Sequence, residues 1–251
     1  MRVFITGASS GLGEGLALRY AQPGAVLGLC ARRAPLLEEL AQAVSARGAR
    51  AIVYAADVTD TAEMSRLAAD FARDANGVDV VVANAGIGVG HGTLLGESGP
   101  IAKLMQVNVI GVTNTVVPFV PTMVQQGSGT LVAVSSVAGL RGLPGRAAYS
   151  ASKAAVITFM DALRLDLYGT GVHAMTLCPG FVRTPMTVDL PGKLPFLISV
   201  EEAAEQMTHA IERRAKTFVF PWQMRLLSKA LKLLPEALVR RAAPAARPHR
   251  V

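Results

Sequence analysis

The chain predicts an α/β fold, a doubly wound parallel seven-stranded sheet with helices on both faces. Short apolar runs alternate with longer amphipathic ones from the first residues onward, the pattern of repeated right-handed β-α-β units. The apolar runs are continuous rather than alternating, as expected of strands whose two faces are both covered by helices. A length of 251 residues suits one large domain of this kind.

In order, strands are expected at 2–6, 25–31, 51–56, 78–83, 130–135, 172–178 and 217–220. Helices are expected at about 12–21, 35–47, 61–74, 98–126 (in one or two pieces), 149–168 and 201–215. Pro35 at a helix start and Gly48 just past its end are the punctuation such helices need. No repeat, low-complexity linker or internal boundary interrupts the pattern. Residues 1–221 therefore read as a single domain, and 222–251 as a basic, amphipathic helical extension that is disordered after about 242.

Composition narrows the functional classes. The chain is 51% apolar but only 5% aromatic, so the core is built from Ala, Val and Leu. No apolar run is expected to reach the roughly 18–20 residues that span a bilayer. The strand-like "RVFIT" at the start leaves no room for a secretory leader. Cys30 and Cys178 sit in apolar runs without a CxxC pattern, and read as buried free thiols in a cytoplasmic protein. The net charge of +7 is not spread evenly. From Trp222 onward seven Lys and Arg face one Glu, a net +6, which leaves +1 for the body and no nucleic-acid face on it. No cluster of metal-ligating residues is visible, and none is expected to be needed.

The first turn, "FITGASSGLGEGLALRY", places Gly7, Gly11 and Gly13 between the first strand and the first helix, with Ser9, Ser10 and Leu12 among them. A backbone that turns sharply, approaches a phosphate and then packs a helix on the sheet favours glycine at each step. Free N–H groups at that helix start attract a pyrophosphate. The spacing is GxxxGxG, and its place after the first strand points to a dinucleotide in a Rossmann-like fold. At the end of the second strand, "GLCARR" lacks the carboxylate that would bind adenosine ribose hydroxyls. Arg32 offers a guanidinium to a 2′-phosphate instead, with Arg33 read as a solvated helix-start residue, so NADP(H) is expected over NAD(H).

Tyr149 and Lys153, in "GRAAYSASKAAV", stand one helical turn apart on a common face. A neighbouring ammonium favours phenolate and is expected to lower the phenol pKa from its ordinary value of about 10, making it a usable acid or base. Thirteen residues before Tyr149, "LVAVSSVAG" ends the fifth strand with Ser135 and Ser136, where a hydroxyl could hold a carbonyl beside the phenol.

Across residues 2 to about 220 the chain resembles the classical short-chain dehydrogenase/reductase family. The matching motifs are "TGASSGLG" (6–13), "DV" (57–58), "NAGI" (84–87), "VN" (107–108), "SSVAG" (135–139), "YSASK" (149–153) and "PGFVRT" (179–184). The resemblance implies a catalytic set of Ser136, Tyr149 and Lys153, with Asn108 in a water-mediated proton relay and Ser135 structural. It implies that Asp57 and Val58 meet the adenine, and that Asn84, Ala85 and Gly86 line the path of the cofactor. Pro179, Gly180, Val182 and Thr184 would meet the nicotinamide, while Tyr149 and Lys153 also bind its ribose. Asp57 as a helix cap and Asn84 as a sheet brace are the bland alternatives. The activity implied is hydride transfer between a ketone or aldehyde and its alcohol, with a homodimer through helices 98–126 and 149–168.

Many bacterial members of that family, typical 3-oxoacyl carrier-protein reductases among them, end in a glycine-rich "VDGG"-like segment that helps build a tetramer. This chain instead runs "FVFPWQMRLLSKALKLLPEALVRR", with Leu227, Leu231, Leu234 and Leu238 at helical spacing. That stripe either packs on the body or a partner subunit, or lies on an anionic membrane surface through 222–241, or is loosely ordered. The substrate pocket is expected from 87–95, 137–147 and 185–198. The last is a mobile lid whose Met186, Leu190, Leu194, Phe196 and Leu197 call for a hydrophobic substrate; His91 reads as an exposed loop residue. The alternatives to a soluble carbonyl reductase are a peripheral membrane reductase of a lipid-like or 3-oxoacyl substrate, and a silent NADP-binding regulator.

Overall fold

The computed structural model of the chain describes residues 1–88, 98–188 and 193–233. Seven parallel strands form one sheet: β1 (Arg2–Thr6), β2 (Val26–Ala31), β3 (Arg50–Ala55), β4 (Val80–Ala83), β5 (Gly129–Val134), β6 (Val172–Pro179) and β7 (Thr217–Phe220). Their order in space is β3-β2-β1-β4-β5-β6-β7. The winding direction reverses between β1 and β4, so the crevice at their carboxyl ends is where such a sheet receives a ligand.

Helices α1 (Gly11–Tyr20), α2 (Ala34–Ser45) and α3 (Thr61–Asp74) follow the first three strands. Pro35 lies in the first turn of α2, and the Asp60 carboxylate accepts the Glu63 amide at 3.0 Å to cap α3. The expected helix at 98–126 is a composite: α4 (Ser98–Met105), a π turn (Gln106–Ile110), α5 (Gly111–Val116), a 3-10 turn and α6 (Val120–Gln126). Helix α7 (Ala147–Asp166) precedes β6; α8 (Val200–Glu212), opened by a Ser199/Glu202 capping box, precedes β7; α9 (Trp222–Leu233) follows it.

Two cores flank the sheet. On one side Leu16, Leu27, Leu37 and Met207 pack beneath α1, α2 and α8. On the other, Phe4, Phe71 and Phe119 form an aromatic knot between α3 and the composite helix. Cys30 and Cys178 are both buried and free.

Two expectations are corrected here. The composite segment Ser98–Gln126, 29 residues, is long and apolar enough to cross a membrane by composition. Its inner face, however, is packed into the second core, and it carries the buried amides Asn108 and Asn114. The α9 stripe is also out of phase with the leucine spacing: Met224 and Ser228 face the body, whereas Leu226 and Leu227 are exposed. Helix α9 does pack on the body, with Met224 against Gly180, but through Met224 and Ser228 rather than the leucines. Leu234, Leu238 and the end after 242 lie outside the described residues, as do His91 and Leu190.

Candidate active site

The loops beyond β1, β2, β3, β4, β5 and β6 enclose a cavity of about 410 Å³. Every residue assigned from the sequence to catalysis or the cofactor lines it except Gly13 and Asn108, which stand just behind the wall. Of the expected apolar lid, Met186 lines it, whereas Leu194 does not and Phe196 and Leu197 line a separate surface pocket beside α8. Gly7 turns the chain with φ +66°, and a Cβ there would meet the Ala85 backbone at 2.8 Å. A Cβ on Gly13 would lie 2.6 Å from Asn84 Nδ2, so this glycine allows α1 to sit close on the sheet. Asn84 is a brace as well as a wall: its Nδ2 donates to the carbonyls of Thr6 (3.0 Å) and Gly7 (3.2 Å).

Ser10 holds the N-cap position of α1 without capping it through its side chain. The first amides of that helix are thus not taken up by the hydroxyl, an arrangement that fits a phosphate. The hydroxyls of Ser9 and Ser10 instead accept hydrogen bonds from Arg33 Nη2, at 2.9 and 2.8 Å. This corrects the reading of Arg33 as a merely solvated residue. It reaches back from the start of α2 and lies across the glycine loop, while Arg32 makes a long 3.7 Å contact with Asp57 and is 63% exposed at its side chain. Both arginines line the same end of the cavity.

Asp57 does not cap α3; that role belongs to Asp60. Asp57 Oδ1 accepts from the Thr59 amide (3.0 Å) and hydroxyl (2.9 Å), fixing the turn after β3. Burial pushes its carboxyl pKa up, but the Thr59 hydrogen bonds and the charges of Arg32 and Lys103 outweigh that and hold it below the ordinary range.

At the other end, Ser136 ends the strand region, and its Oγ accepts the Ala138 amide at 3.1 Å. Ser135 also lines the cavity, but its hydroxyl donates to the Lys153 carbonyl at 2.7 Å and so ties β5 to α7. Lys153 is buried; its Nζ donates to the Val134 carbonyl at 3.0 Å and lies 5.8 Å from the Tyr149 ring centre. Burial lowers its pKa to about 8. The Tyr149 phenol departs from expectation: burial raises its pKa, and hydrogen bonding with Ser136 and the charge of Arg146 only partly counter this. In this setting desolvation outweighs any help from the ammonium, which is itself engaged by a carbonyl.

Asn108 sits at the centre of the π turn, a distortion that recurs at functional sites. Its Oδ1 accepts the Ile87 amide (2.8 Å), and its Nδ2 donates to the Ile87 carbonyl (2.9 Å) and Ser152 Oγ (3.2 Å). Ser152 in turn donates to the Tyr149 carbonyl at 2.8 Å. A Cβ on Gly86 would lie 3.3 Å from Asn108 Oδ1 and 3.4 Å from Lys153 Nζ, so the two side chains converge behind one backbone. Sequence reasoning missed Ser152, Thr187 and Asn114. Thr187 Oγ1 accepts the Thr184 amide at 3.0 Å and so fixes the wall at Thr184. Each is a hydroxyl or amide serving the backbone, which spacing alone does not mark. Among the described residues, no group of three or more His, Cys, Asp or Glu could hold a metal ion.

The parallel sheet, the glycine turn at its switch point and the Ser136, Tyr149, Lys153 and Asn108 cluster define a nucleotide-dependent α/β oxidoreductase. The chain belongs to the short chain dehydrogenase family, whose profile matches residues 1–194. It is 42% identical to an uncharacterized oxidoreductase of Myxococcus xanthus, over 95% of this chain and 94% of that one. Among solved structures it resembles a Burkholderia phymatum short chain dehydrogenase/reductase in complex with NAD, at TM-score 0.84 and 26% identity over 100% and 98% of the chains. It also resembles a Sphingobium yanoikuyae short-chain dehydrogenase in complex with NADPH, at TM-score 0.82 and 27% identity over 100% and 99%.

Proposed function

We propose that the protein is an NADPH-dependent oxidoreductase that interconverts a hydrophobic ketone or aldehyde with its alcohol. The observation that carries this reading is the placement of Ser136, Tyr149 and Lys153 on one wall of the cavity whose opposite end is lined by the glycine loop and two arginines. Arg33, held by Ser9 and Ser10, and Arg32 beside it supply two guanidinium groups with no carboxylate at the end of β2. That charge favours a 2′-phosphate over ribose hydroxyls. The Sphingobium relative bound to NADPH supports the choice, and the NAD-bound Burkholderia one shows that the fold accepts either cofactor.

The nicotinamide, when bound, supplies or accepts the hydride. In reduction the Ser136 hydroxyl orients the carbonyl oxygen and the Tyr149 phenol donates the proton to it. The raised phenol pKa keeps that proton in place at neutral pH. Lys153 binds the nicotinamide ribose, and with Asn108 behind the same wall it passes a proton back to the phenol through water. Met186 and Ile87 give the substrate end an apolar lining. The protein is read as a cytoplasmic homodimer: Ile110, Val117 and Val124 are exposed at seven-residue spacing along the composite helix, an apolar stripe that suits a partner copy.

A specific observation keeps a second reading in view. Trp222 is 65% exposed and Leu226 57% on α9, with Arg225 and Lys229 also exposed, a basic amphipathic face of the kind that rests on anionic lipid. In that case the substrate is lipid-like or a 3-oxoacyl chain. A panel of hydrophobic ketones with NADPH, run on wild type and Tyr149→Phe, tests the main reading, and equal rates in both would refute it. Sedimentation with anionic vesicles, with and without residues 222–251, tests the second.

A further inference from the structure

We infer that Asn114, on α5, is a positioning residue for the adenine end of the cofactor, an inference that rests on the dinucleotide reading of the cavity. The turn 57–61 brings Asp57 and Val58 to the cavity wall. Its internal bonds, from Thr59 to the Asp57 carboxylate and from the Asp60 amide to the Asp57 carbonyl, give it shape but do not anchor it to the body. The anchor comes from α5. Asn114 Nδ2 donates to the Val58 carbonyl at 2.9 Å, and Asn114 Oδ1 accepts from the Thr61 hydroxyl at 3.2 Å. The amide therefore bridges both ends of the turn through one side chain, and its two bonds fix which way it faces.

Packing reinforces the bridge. Gly111, one helical turn before Asn114, lets α5 come against Val58, since a Cβ there would lie 2.6 Å from Val58 Cγ2. Asn108, Gly111 and Asn114 recur every three residues along the inner face of the composite helix. The first braces Ile87 at the catalytic end, and the last two brace Val58 at the adenine end. Asn114 is 7% exposed between the apolar Val112 and Val116. A buried amide there is costly unless bonded, and both of its partners belong to the adenine turn. It does not line the cavity, so it acts through Val58 and not by touching ligand.

The test separates the adenosine half of the ligand from the nicotinamide half. Dissociation constants for NADPH, 2′,5′-ADP and reduced nicotinamide mononucleotide are measured by fluorescence and calorimetry on wild type, Asn114→Leu and Asn114→Asp. Leucine keeps the volume and loses both bonds; aspartate keeps the Thr61 bond and cannot donate to Val58. The expected result is binding of NADPH and 2′,5′-ADP weakened about tenfold, in line with loss of one buried hydrogen bond, with the mononucleotide unchanged. Where a ketone substrate is in hand, the KM for NADPH rises while kcat stays within about twofold. Unchanged 2′,5′-ADP binding in a folded variant overturns the inference, as does equal weakening of all three ligands. Thr61→Val, at an exposed position, is the second variant; it frees the amide to rotate and should weaken 2′,5′-ADP in the same direction by a few-fold. If the Asn114 variants do not fold, that result decides. Failure of wild type to bind NADPH at all would instead remove the dinucleotide reading on which the inference stands.

Discussion

The Ser135 hydroxyl donates to the Lys153 carbonyl across 2.7 Å, which couples the end of β5 to the helix that carries Tyr149. The bond is buried, and the Cys178 thiol also hydrogen-bonds with Ser135. Ser135→Ala removes the second donor to a carbonyl that already accepts a bond within α7. We expect a loss of about 0.5–1.5 kcal/mol in urea unfolding, the net worth of one hydrogen bond. Activity should fall through misplacement of Lys153, with the KM for NADPH rising alongside. Unchanged stability and KM would show that the bond does not couple β5 to α7.

Tyr149→Phe removes the proton donor without changing the shape of the ring. A positioned acid contributes about 10²–10⁴-fold, so kcat for ketone reduction should drop by that order with NADPH binding retained. The direction of the phenol shift also sets a pH dependence. A pKa raised by burial means the proton is held to higher pH, so reduction stays level through neutrality and declines only in alkali. Oxidation of the alcohol needs phenolate and should rise over the same alkaline range. Parallel pH profiles of the two directions check this, and coincident profiles would contradict it.

Much of this was legible in the sequence, because strand and helix periodicity survives in a parallel sheet and because Ser136, Tyr149 and Lys153 in that arrangement have no comparably good structural account. All seven strands fall within two residues of where the apolar runs place them at either end. What escaped is local chemistry decided by three-dimensional neighbours. Arg33 and Arg32 are adjacent and alike in sequence, and only the turn into α2 decides which of them lies over Ser9 and Ser10. The phenol shift also depended on how far Tyr149 is desolvated, which helical spacing to Lys153 does not reveal. The one-residue phase shift of the π turn at Gln106–Ile110 is masked in hydrophobic periodicity, because the apolar Val107, Val109, Ile110 and Val112 crowd the segment.

Arg33 makes three hydrogen bonds to the side chains of Ser9 and Ser10, whereas Arg32 has a single long contact with Asp57. If both guanidinium groups serve the 2′-phosphate, Arg33→Ala and Arg32→Ala should each raise the KM for NADPH about tenfold while leaving that for NADH nearly unchanged, as loss of a charge-assisted hydrogen bond requires. The preordered Arg33 should show the larger effect. Equal loss with both cofactors would move these residues from phosphate recognition to loop support.

The exposed Val117 lies between Ile110 and Val124 on the outer face of the composite helix. A carboxylate in the middle of that stripe would be desolvated without a partner in a dimer, and harmless on a free surface. Val117→Glu should therefore convert a dimer to a monomer by light scattering at micromolar concentration, with the thermal midpoint of the monomer lowered. A wild-type monomer would remove the dimer reading, and a variant that remains dimeric would place the subunit contact elsewhere.

Lys153 gives a prediction about stability that does not depend on any substrate. Burial lowers its folded-state pKa from 10.5 to about 8, so between those values the unfolded chain holds more protons than the folded one. By linkage, this residue's contribution to stability rises with pH across that window. Below about 8 both states are charged, and the cost of burying the ammonium is felt in full. Lys153→Met removes that cost at every pH. The variant should be more stable than wild type at neutral pH, and its advantage should shrink steadily toward pH 10. Cys30, whose burial pushes it up to about 12, pulls the other way in both proteins and cancels in the difference. Cys178, also pushed up to about 12 by burial, is partly held down by the Lys153 charge, so its opposing pull is stronger in the variant and adds to the shrinkage. Urea unfolding of the pair at intervals of one pH unit provides the test. A constant difference would mean that Lys153 titrates in the folded protein as it does in the unfolded chain, and that the carbonyl of Val134, 3.0 Å from its Nζ, fully replaces the water it has lost.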